Sequence, residues 1–246
     1  MIRSAKSLGG FRIQAKDGTI GRAHDLLFDD EKWIVRYLTV RTTAWLSKQE
    51  KLISPLAIGQ PDWSSHSLPV ELTVDQVKNS PDIDADKPVS LQRQIELHEY
   101  YGWPPYWAPV DALAMPTPIP SAVAKGIEEA GIEEKGDLHL RSALEVINYR
   151  VQAGDDEVGY VWDFLLEHKK WVIRYIAVKT RMWLPAKKVL VSPLWMDKIS
   201  WKDKKVYLDV PENMVRNSPK YVPSATVNRE YEARLYDYYG RPKYWL

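Results

Sequence analysis

Histidine is the side chain in this sequence best suited to metal binding or acid–base chemistry, and the chain has five: His24, His66, His98, His139 and His168. A zinc site on a helix needs two histidines about one turn apart, as in HExxH, and no pair here has that spacing. The chain has no Cys, which excludes thiolate catalysis and Cys-based metal sites. We therefore predict no metal site and no cofactor.

Two serines in matching contexts, Ser54 and Ser192, each precede a proline and are the best candidates for a nucleophile. A serine hydrolase of the elbow type needs G-x-S-x-G around the serine, and neither site has it. Phosphate-binding glycine motifs are also missing. The carboxylates that could suit calcium lack the alternating spacing of a calcium loop; they are Asp17, Asp155, Asp156 and Glu157. We predict turns at these places and no enzyme.

The sequence contains an internal repeat, so the elements that position these residues occur twice. At an offset of 138, residues 3–107 align with residues 141–245 without a gap, and about 35 of the 105 paired positions are identical. We predict two domains, 1–107 and 141–246. They are joined by a linker, 108–140, that is rich in proline at its start and acidic towards its end.

Short apolar runs separated by turn residues dominate the first 70 residues or so of each repeat, which is typical of a small antiparallel barrel or sandwich. In the first repeat the predicted strands are 11–15, 20–28, 33–41, 51–58 and 67–72. Each repeat then carries an amphipathic helix, with Ser90 or Asn228 as the N-cap and Gly102 or Gly240 at the stop.

A Tyr-Trp pair follows each helix stop, at Tyr106-Trp107 and again at Tyr244-Trp245. The intervening residues change from Trp-Pro-Pro to Arg-Pro-Lys, although the pair itself is kept. A ligand site has little reason to be duplicated in this way. We therefore interpret each pair as an aromatic clasp that folds onto its own repeat.

Charged residues stand among apolar neighbours in the hairpin of each repeat. A two-residue loop at the hairpin tip places Asp25 opposite Arg36 and Asp163 opposite Arg174, which predicts two structural ion pairs. A three-residue loop would shift the register and place Asp25 opposite Tyr37 instead.

The second repeat has a basic bias, with 19 Lys and Arg against 13 Asp and Glu, a net charge of +6. A candidate interaction surface combines its lysines with two tryptophans: Lys187, Lys188, Lys198, Lys202, Lys204, Lys205, Trp183 and Trp201. Such a surface suits RNA or an anionic membrane. The other interpretation is a solvated face near the acidic linker. The first repeat keeps the aromatics at Trp45 and Trp63 without the lysines, which favours the solvated face.

The second repeat resembles the PRC-barrel family of bacterial proteins over nearly its whole length. The resemblance rests on four motifs: Gly159 with Asp163, Phe164 and Leu165; Trp171 with Arg174 and Tyr175; Val189 to Pro193; and the closing Tyr-Gly-Arg-Pro-x-Tyr-Trp. The first repeat has the same marks at Gly21, Asp25, Trp33, Arg36, Tyr37, Ser54 and Pro55. The resemblance implies a small antiparallel barrel, which is also found in the photosynthetic reaction-centre H subunit and in a ribosome-maturation factor. In these proteins the barrel binds macromolecules and does not catalyse a reaction.

Taken together, the sequence predicts a mainly β protein with two tandem PRC-type barrels, each ending in an amphipathic helix and an aromatic tail. No stretch is apolar for long enough to be a signal peptide or a membrane helix, so we expect a soluble cytoplasmic protein. We predict a non-enzymatic interaction or assembly module that binds a protein partner or self-associates. Two alternatives stay open: an RNA- or ribosome-associated factor using the basic second repeat, and a small-ligand carrier or enzyme with a pocket between the barrels. Peripheral membrane association also stays open.

Overall fold

The fold was analysed in a computed structural model, which describes residues 1–42, 50–83, 89–107, 139–180 and 186–246. It is mainly β, as predicted, and its pairings join 13 strands into one mixed sheet. Within the described ranges the pairings do not close into a barrel, so tandem barrels are not confirmed. No helix in these ranges is both long enough and apolar enough to cross a membrane.

The chain divides into two compact units whose limits cross those of the sequence repeats. The first-repeat unit comprises Gly10–Asp30 and Arg36–Arg141, and the second-repeat unit comprises Met1–Gly9, Glu31–Val35 and Ser142–Leu246. The predicted ranges 1–107 and 141–246 thus describe the sequence repeat, whereas each compact unit also takes in segments from the other repeat. Most of the predicted linker, 108–138, lies outside the described residues.

The first-repeat unit is built on six strands: β2 (Arg12–Gln14), β3 (Thr19–Asp29), β4 (Ile34–Thr42), β5 (Glu50–Ile53), β6 (Ser67–Pro69) and β7 (Leu140–Ser142). Its pairings run in the order β6, β2, β3, β4, with β5 on β4 and β7 on β3. The described part of this unit also has two helices, α1 (Val74–Lys78) and α2 (Leu91–Tyr101). A buried cluster of Leu27, Tyr37, Leu52, Leu97 and Leu140 forms a core between strands and α2.

The second-repeat unit has the same strand order, which supports a duplicated fold. Its strands are β1 (Ile2–Ser4), β8 (Arg150–Ala153), β9 (Asp156–Glu167), β10 (Val172–Thr180), β11 (Lys188–Val191), β12 (Met196–Ser200) and β13 (Lys205–Leu208). β13, β8, β9 and β10 follow one another in the sheet, with β11 on β10. Its helices are α3 (Ala143–Val146), α4 (Glu212–Asn217) and α5 (Arg229–Tyr239).

The first strand of each repeat belongs to the compact unit of the other repeat. β1 pairs antiparallel with β9, with Ile2 opposite Glu167 and Ser4 opposite Leu165. β7, which is equivalent to β1 at the offset of 138, pairs with β3. β1 and β7 satisfy backbone N–H and C=O groups along β9 and β3, so each unit includes a strand from the start of the other repeat.

The hairpin register in the second repeat differs from the predicted one. Glu167 pairs with Val172, which leaves four residues in the loop, and Trp171 in that loop has φ 54. The longer loop and a β-bulge between Ile173 and Tyr175 together place Asp163 opposite Ala177 rather than Arg174. The predicted two-residue loop is wrong here because sequence alone does not reveal the left-handed backbone of a bulky tryptophan.

A glycine in the long strand of each hairpin is required by a close backbone approach. A Cβ at Gly21 would lie 2.1 Å from the Arg41 carbonyl oxygen, and one at Gly159 would lie 2.2 Å from that of Lys179. Any other residue would push the neighbouring strand away. The two motif glycines therefore fix how tightly the strands pack.

Both C-terminal helices begin and end as predicted. The Ser90 hydroxyl accepts from the Arg93 N–H at 3.2 Å, and the Asn228 side chain accepts from the Tyr231 N–H at 2.9 Å. Gly102 and Gly240 stop the helices with φ 68 and φ 61, in the left-handed region that favours glycine. The chain then turns back along the helix and brings the aromatic pair onto it.

Candidate functional site

The clasp of the first repeat packs against helix α2 and strand β4. The Tyr106 O–H donates to the Gln94 side-chain oxygen at 2.5 Å, and the Trp107 ring contacts the His98 ring edge-on at 4.7 Å. The Arg36 guanidinium lies 4.1 Å from the centre of the Tyr106 ring, a cation–π contact. These contacts turn the end of the repeat into part of its own core.

The second clasp repeats this arrangement with a charge at its centre. The Tyr244 and Tyr175 hydroxyls each donate to the buried Glu232 carboxylate at 2.8 Å. Trp245 contacts the Tyr236 ring at 5.2 Å. Glu232 stands where the first repeat has Gln94, and the Arg229 guanidinium 3.1 Å away balances its charge.

The two arginines make ion pairs with carboxylates that lie four residues nearer the hairpin tip than the predicted partners. Arg36 contacts Asp29 at 2.7 Å, and Arg174 contacts Glu167 at 2.6 Å. The prediction for Asp163 and Arg174 is wrong because of the longer loop, and Arg36 takes Asp29 rather than the predicted Asp25 as its partner. The Asp25 carboxylate accepts from the backbone N–H of Leu26 at 2.7 Å.

Asp163 is buried and is held by the N-terminal segment. It accepts from the Ser4 hydroxyl at 2.5 Å, from the Lys6 N–H at 3.2 Å and from the Phe164 N–H at 2.8 Å. Burial raises the pKa of the Asp163 carboxyl above its usual value. The motif aspartate thus acts as an anchor for residues 4–6 in the second-repeat unit.

His98 is buried in the first clasp and is held neutral. Its Nδ1–H donates to the Pro104 carbonyl at 3.0 Å, and its Nε2 accepts from the Tyr37 O–H at 2.8 Å. Burial lowers the pKa of His98 to about 4 from 6.5. The other repeat has Tyr236 at the equivalent position, so the site needs a hydrogen-bonding ring rather than a titrating one.

This burial of His98 predicts an acid-sensitive first-repeat unit. Since the pKa is lower in the folded state than in the unfolded state, stability is complete above pH 6.5 and is lost as the pH falls towards 4. We expect a loss of about 3 kcal/mol across that range, which follows from about 1.4 kcal/mol per pKa unit. Urea unfolding at pH 7 and pH 4 measures it. His98→Tyr, which copies the second repeat, should remove this part of the pH dependence; an unchanged dependence would contradict the assignment.

A cleft beside the first clasp is the best candidate for a binding site. We call it the first-repeat cleft; its volume is about 620 Å³ and its lining is Leu56, Ala57, Glu71, Leu72, Gln76, Tyr100, Tyr101, Trp103 and Pro104. Three elements position these residues: the turn Pro55–Ala57, helix α1 and the C-terminal end of α2.

Aromatic and apolar groups dominate the walls of this cleft. The Tyr101 and Trp103 rings are stacked at 4.1 Å with an interplanar angle of 16°. The Tyr100 hydroxyl donates to the Gln76 carbonyl at 2.9 Å and ties α2 to α1. At the rim, Leu56 is 64% exposed and Tyr100 is 43% exposed. A rigid, partly apolar cleft of this kind is typical of a recognition site.

At the equivalent place in the second repeat, the cleft is filled from within. Trp195 replaces Ala57 and is 2% exposed. Its ring lies 4.6 Å from that of Tyr239 and 4.9 Å from that of Tyr236. Arg241 replaces Trp103, and its guanidinium donates to the Asp209 carboxylate at 2.9 Å.

The predicted basic surface is not a single group of exposed cations. The Lys187 ammonium donates to the Ser218 carbonyl at 2.8 Å, and the Lys188 ammonium lies 3.6 Å from the centre of the Trp162 ring. Lys202 and Lys204 are exposed, whereas Lys205 is half-buried. The Trp201 ring contacts Tyr149 at 6.1 Å. Trp183 and Trp45 lie outside the described residues.

The residues singled out for catalysis or metal binding have structural surroundings. Ser54 and Ser192 are buried, and each hydroxyl accepts from the N–H two residues on, at 3.3 Å. Over the ranges that the structure describes, no three His, Asp or Glu side chains form a cluster that could hold a metal ion.

Sequence reasoning missed the first-repeat cleft. The signal for it lies in the positions where the repeats differ, since Ala57 against Trp195 and Trp103 against Arg241 change side-chain volume and charge together. The sequence prediction covered only the neighbouring pair Tyr106-Trp107 and not the aromatic residues that line the cleft. Comparison of the sequence with protein-family models and with curated proteins gives no match.

Proposed function

We propose that this protein is a non-enzymatic module that binds a protein partner, and that its organisation is a tandem of two PRC-type barrel repeats. The motifs named above and the shared strand order of the two units support the tandem organisation. The first-repeat cleft and the apolar side chains at its rim are the proposed contact surface.

One observation carries this proposal: both repeats present the same leucine to solvent on a rigid turn. Leu56 is 64% exposed and Leu194 is 70% exposed. Two residues before each leucine, a buried serine hydroxyl accepts from the leucine N–H and caps the turn, which fixes the backbone that holds the leucine on the outer side. A single exposed leucine is ordinary, but one that is duplicated and held out beside a cleft suits a partner surface.

The candidate nucleophiles do not support an enzyme. The Ser54 and Ser192 hydroxyls are already used as caps, and Tyr236 rather than a histidine lies near Ser192, with a 3.4 Å distance between the two hydroxyl oxygens. Without a base of suitable pKa within reach, a serine hydroxyl is a weak nucleophile.

A binding experiment tests the proposal. A partner captured with the wild-type chain is purified, and its affinity is measured by isothermal titration calorimetry for wild type, Leu56→Ser and Leu194→Ser. We expect Leu56→Ser to weaken binding about tenfold, the size typical of a partly buried contact residue. Sedimentation velocity of the chain alone over a concentration series tests a second copy as the partner.

The matched control is Leu144→Ser, because Leu144 is 46% exposed and belongs to α3 rather than to either turn. It should leave the affinity unchanged. Equal affinities for all four proteins, together with a mass that does not depend on concentration, would overturn the proposal.

A further inference from the structure

We propose that the first-repeat cleft binds an aromatic side chain that is next to a basic side chain in a segment of the partner protein. This inference rests on the proposed function and specifies its ligand. It follows from the residues that line the cleft, compared with the equivalent place in the second repeat.

The aromatic part of the ligand follows from Trp195. This indole packs against Tyr236 and Tyr239, with ring centres 4.9 Å and 4.6 Å away. The equivalent residue Ala57 has only a methyl group, and the cleft of about 620 Å³ opens in front of it. In the first repeat Trp103 already packs on Tyr101 and His98, the equivalents of these two tyrosines. A planar ring that enters the cleft would therefore meet the side chains that line it, which include the rings of Tyr100, Tyr101 and Trp103.

The basic part of the ligand follows from Arg241. In the second repeat its guanidinium binds both the carboxylate and the carbonyl oxygen of Asp209. Glu71 is equivalent to Asp209 and lines the first-repeat cleft, whose lining contains no Lys or Arg because Trp103 replaces the arginine. A cation from the partner would complete the pair.

The ion pair that Glu71 already makes does not satisfy the cleft. Lys16 lies 3.3 Å from its carboxylate, but both side chains are largely exposed and Lys16 is not part of the lining. Exposed pairs contribute little and exchange readily for a better-placed cation. The carboxylate therefore favours a positively charged ligand over a negatively charged one.

The test uses three blocked dipeptides as probes: acetyl-Trp-Arg-amide, acetyl-Trp-Glu-amide and acetyl-Leu-Arg-amide. Binding to the full chain is followed by two-dimensional NMR of the 15N-labelled protein, with the indole N–H of Trp103 as the reporter. We expect acetyl-Trp-Arg-amide to bind at least fivefold more tightly than either of the others. Equal affinity for the three probes, or no shift of the Trp103 signal, would overturn the inference.

Variants that copy residues of the second repeat separate the two parts of the recognition. Ala57→Trp should fill the cleft and weaken the binding of acetyl-Trp-Arg-amide at least tenfold. Trp103→Arg, which recreates the pair of Arg241 with Asp209, serves if the larger indole disturbs folding, and should have the same effect. Because this variant lacks the reporter indole, its binding is measured by isothermal titration calorimetry. Glu71→Gln should reduce the preference for arginine over glutamate in the probe while leaving acetyl-Trp-amide unaffected.

A further arm distinguishes a protein segment from a small aromatic molecule, since indole and its simple amines share this chemistry. If tryptamine binds as tightly as acetyl-Trp-Arg-amide and a decapeptide centred on Trp-Arg does not bind, the ligand is not a protein segment and the inference is wrong. The proposed function has a separate test: it requires that Leu56→Ser weaken the binding of the purified partner, and this result does not depend on the affinities of the dipeptide probes.

Discussion

Trp195→Ala is expected to lower the free energy of unfolding of the second-repeat unit by about 4 kcal/mol, the range found when a large buried aromatic is truncated. The indole is 2% exposed and contacts the rings of Tyr236 and Tyr239, so its removal leaves a cavity between the turn Pro193–Trp195 and helix α5. Urea unfolding, followed by hydrogen exchange resolved by segment, measures the loss and shows which unit carries it.

Leu194→Ala is the matched control, because this neighbour is 70% exposed and should cost less than about 0.5 kcal/mol. Added indole should recover part of the stability of Trp195→Ala, since a ligand that binds only the folded state stabilises it. A loss below about 1 kcal/mol, or exchange that increases equally in both units, would show that Trp195 does not fill a site of this kind.

Removing residues 2–9 is expected to destabilise the second-repeat unit by at least about 4 kcal/mol and to leave the first-repeat unit folded. The deletion removes strand β1, the buried side chains of Ile2 and Leu8, and the Ser4 hydroxyl that donates to buried Asp163. A buried carboxylate that loses its donors pays a large desolvation cost.

Hydrogen exchange over strands β9 and β10 reports the effect, and a synthetic peptide of residues 1–10 provides the control. The peptide should restore protection in β9, whereas a peptide with Ser4→Ala should restore much less. If the shortened chain protects β9 as well as the full chain does, β1 is not a structural part of that unit.

The sequence predicted the local structure well where a short motif determines it. The caps at Ser90 and Asn228 and the stops at Gly102 and Gly240 are confirmed, because capping depends on residues within four positions of one another. Two features that depend on more than such a short motif were not predicted. The hairpin register depended on the left-handed backbone of Trp171, and the compact unit that takes up β1 depended on pairings more than 150 residues apart.

The first-repeat cleft was harder to predict than the fold because its residues are at positions where the two repeats differ, not at positions that they share. A search for repeated residues emphasises what the two repeats share, and so it selects the structural residues Tyr106, Trp107, Tyr244 and Trp245. The cleft depends on Ala57 and Trp103, where the repeats diverge. Charge counting selected residues of two kinds: Lys187 and Lys188 make local contacts within the second-repeat unit, whereas Lys202 and Lys204 are exposed.

The exchange of first strands has a consequence for how such a chain could arise. In a half-length chain with one repeat, two identical copies could exchange their first strands in the same way, which makes a domain-swapped homodimer. Joining the two copies in one gene keeps the strand exchange, and the two repeats no longer need to have the same sequence. The two equivalent places, identical by necessity in a homodimer, could then diverge, one closed by Trp195 and the other left open as the first-repeat cleft.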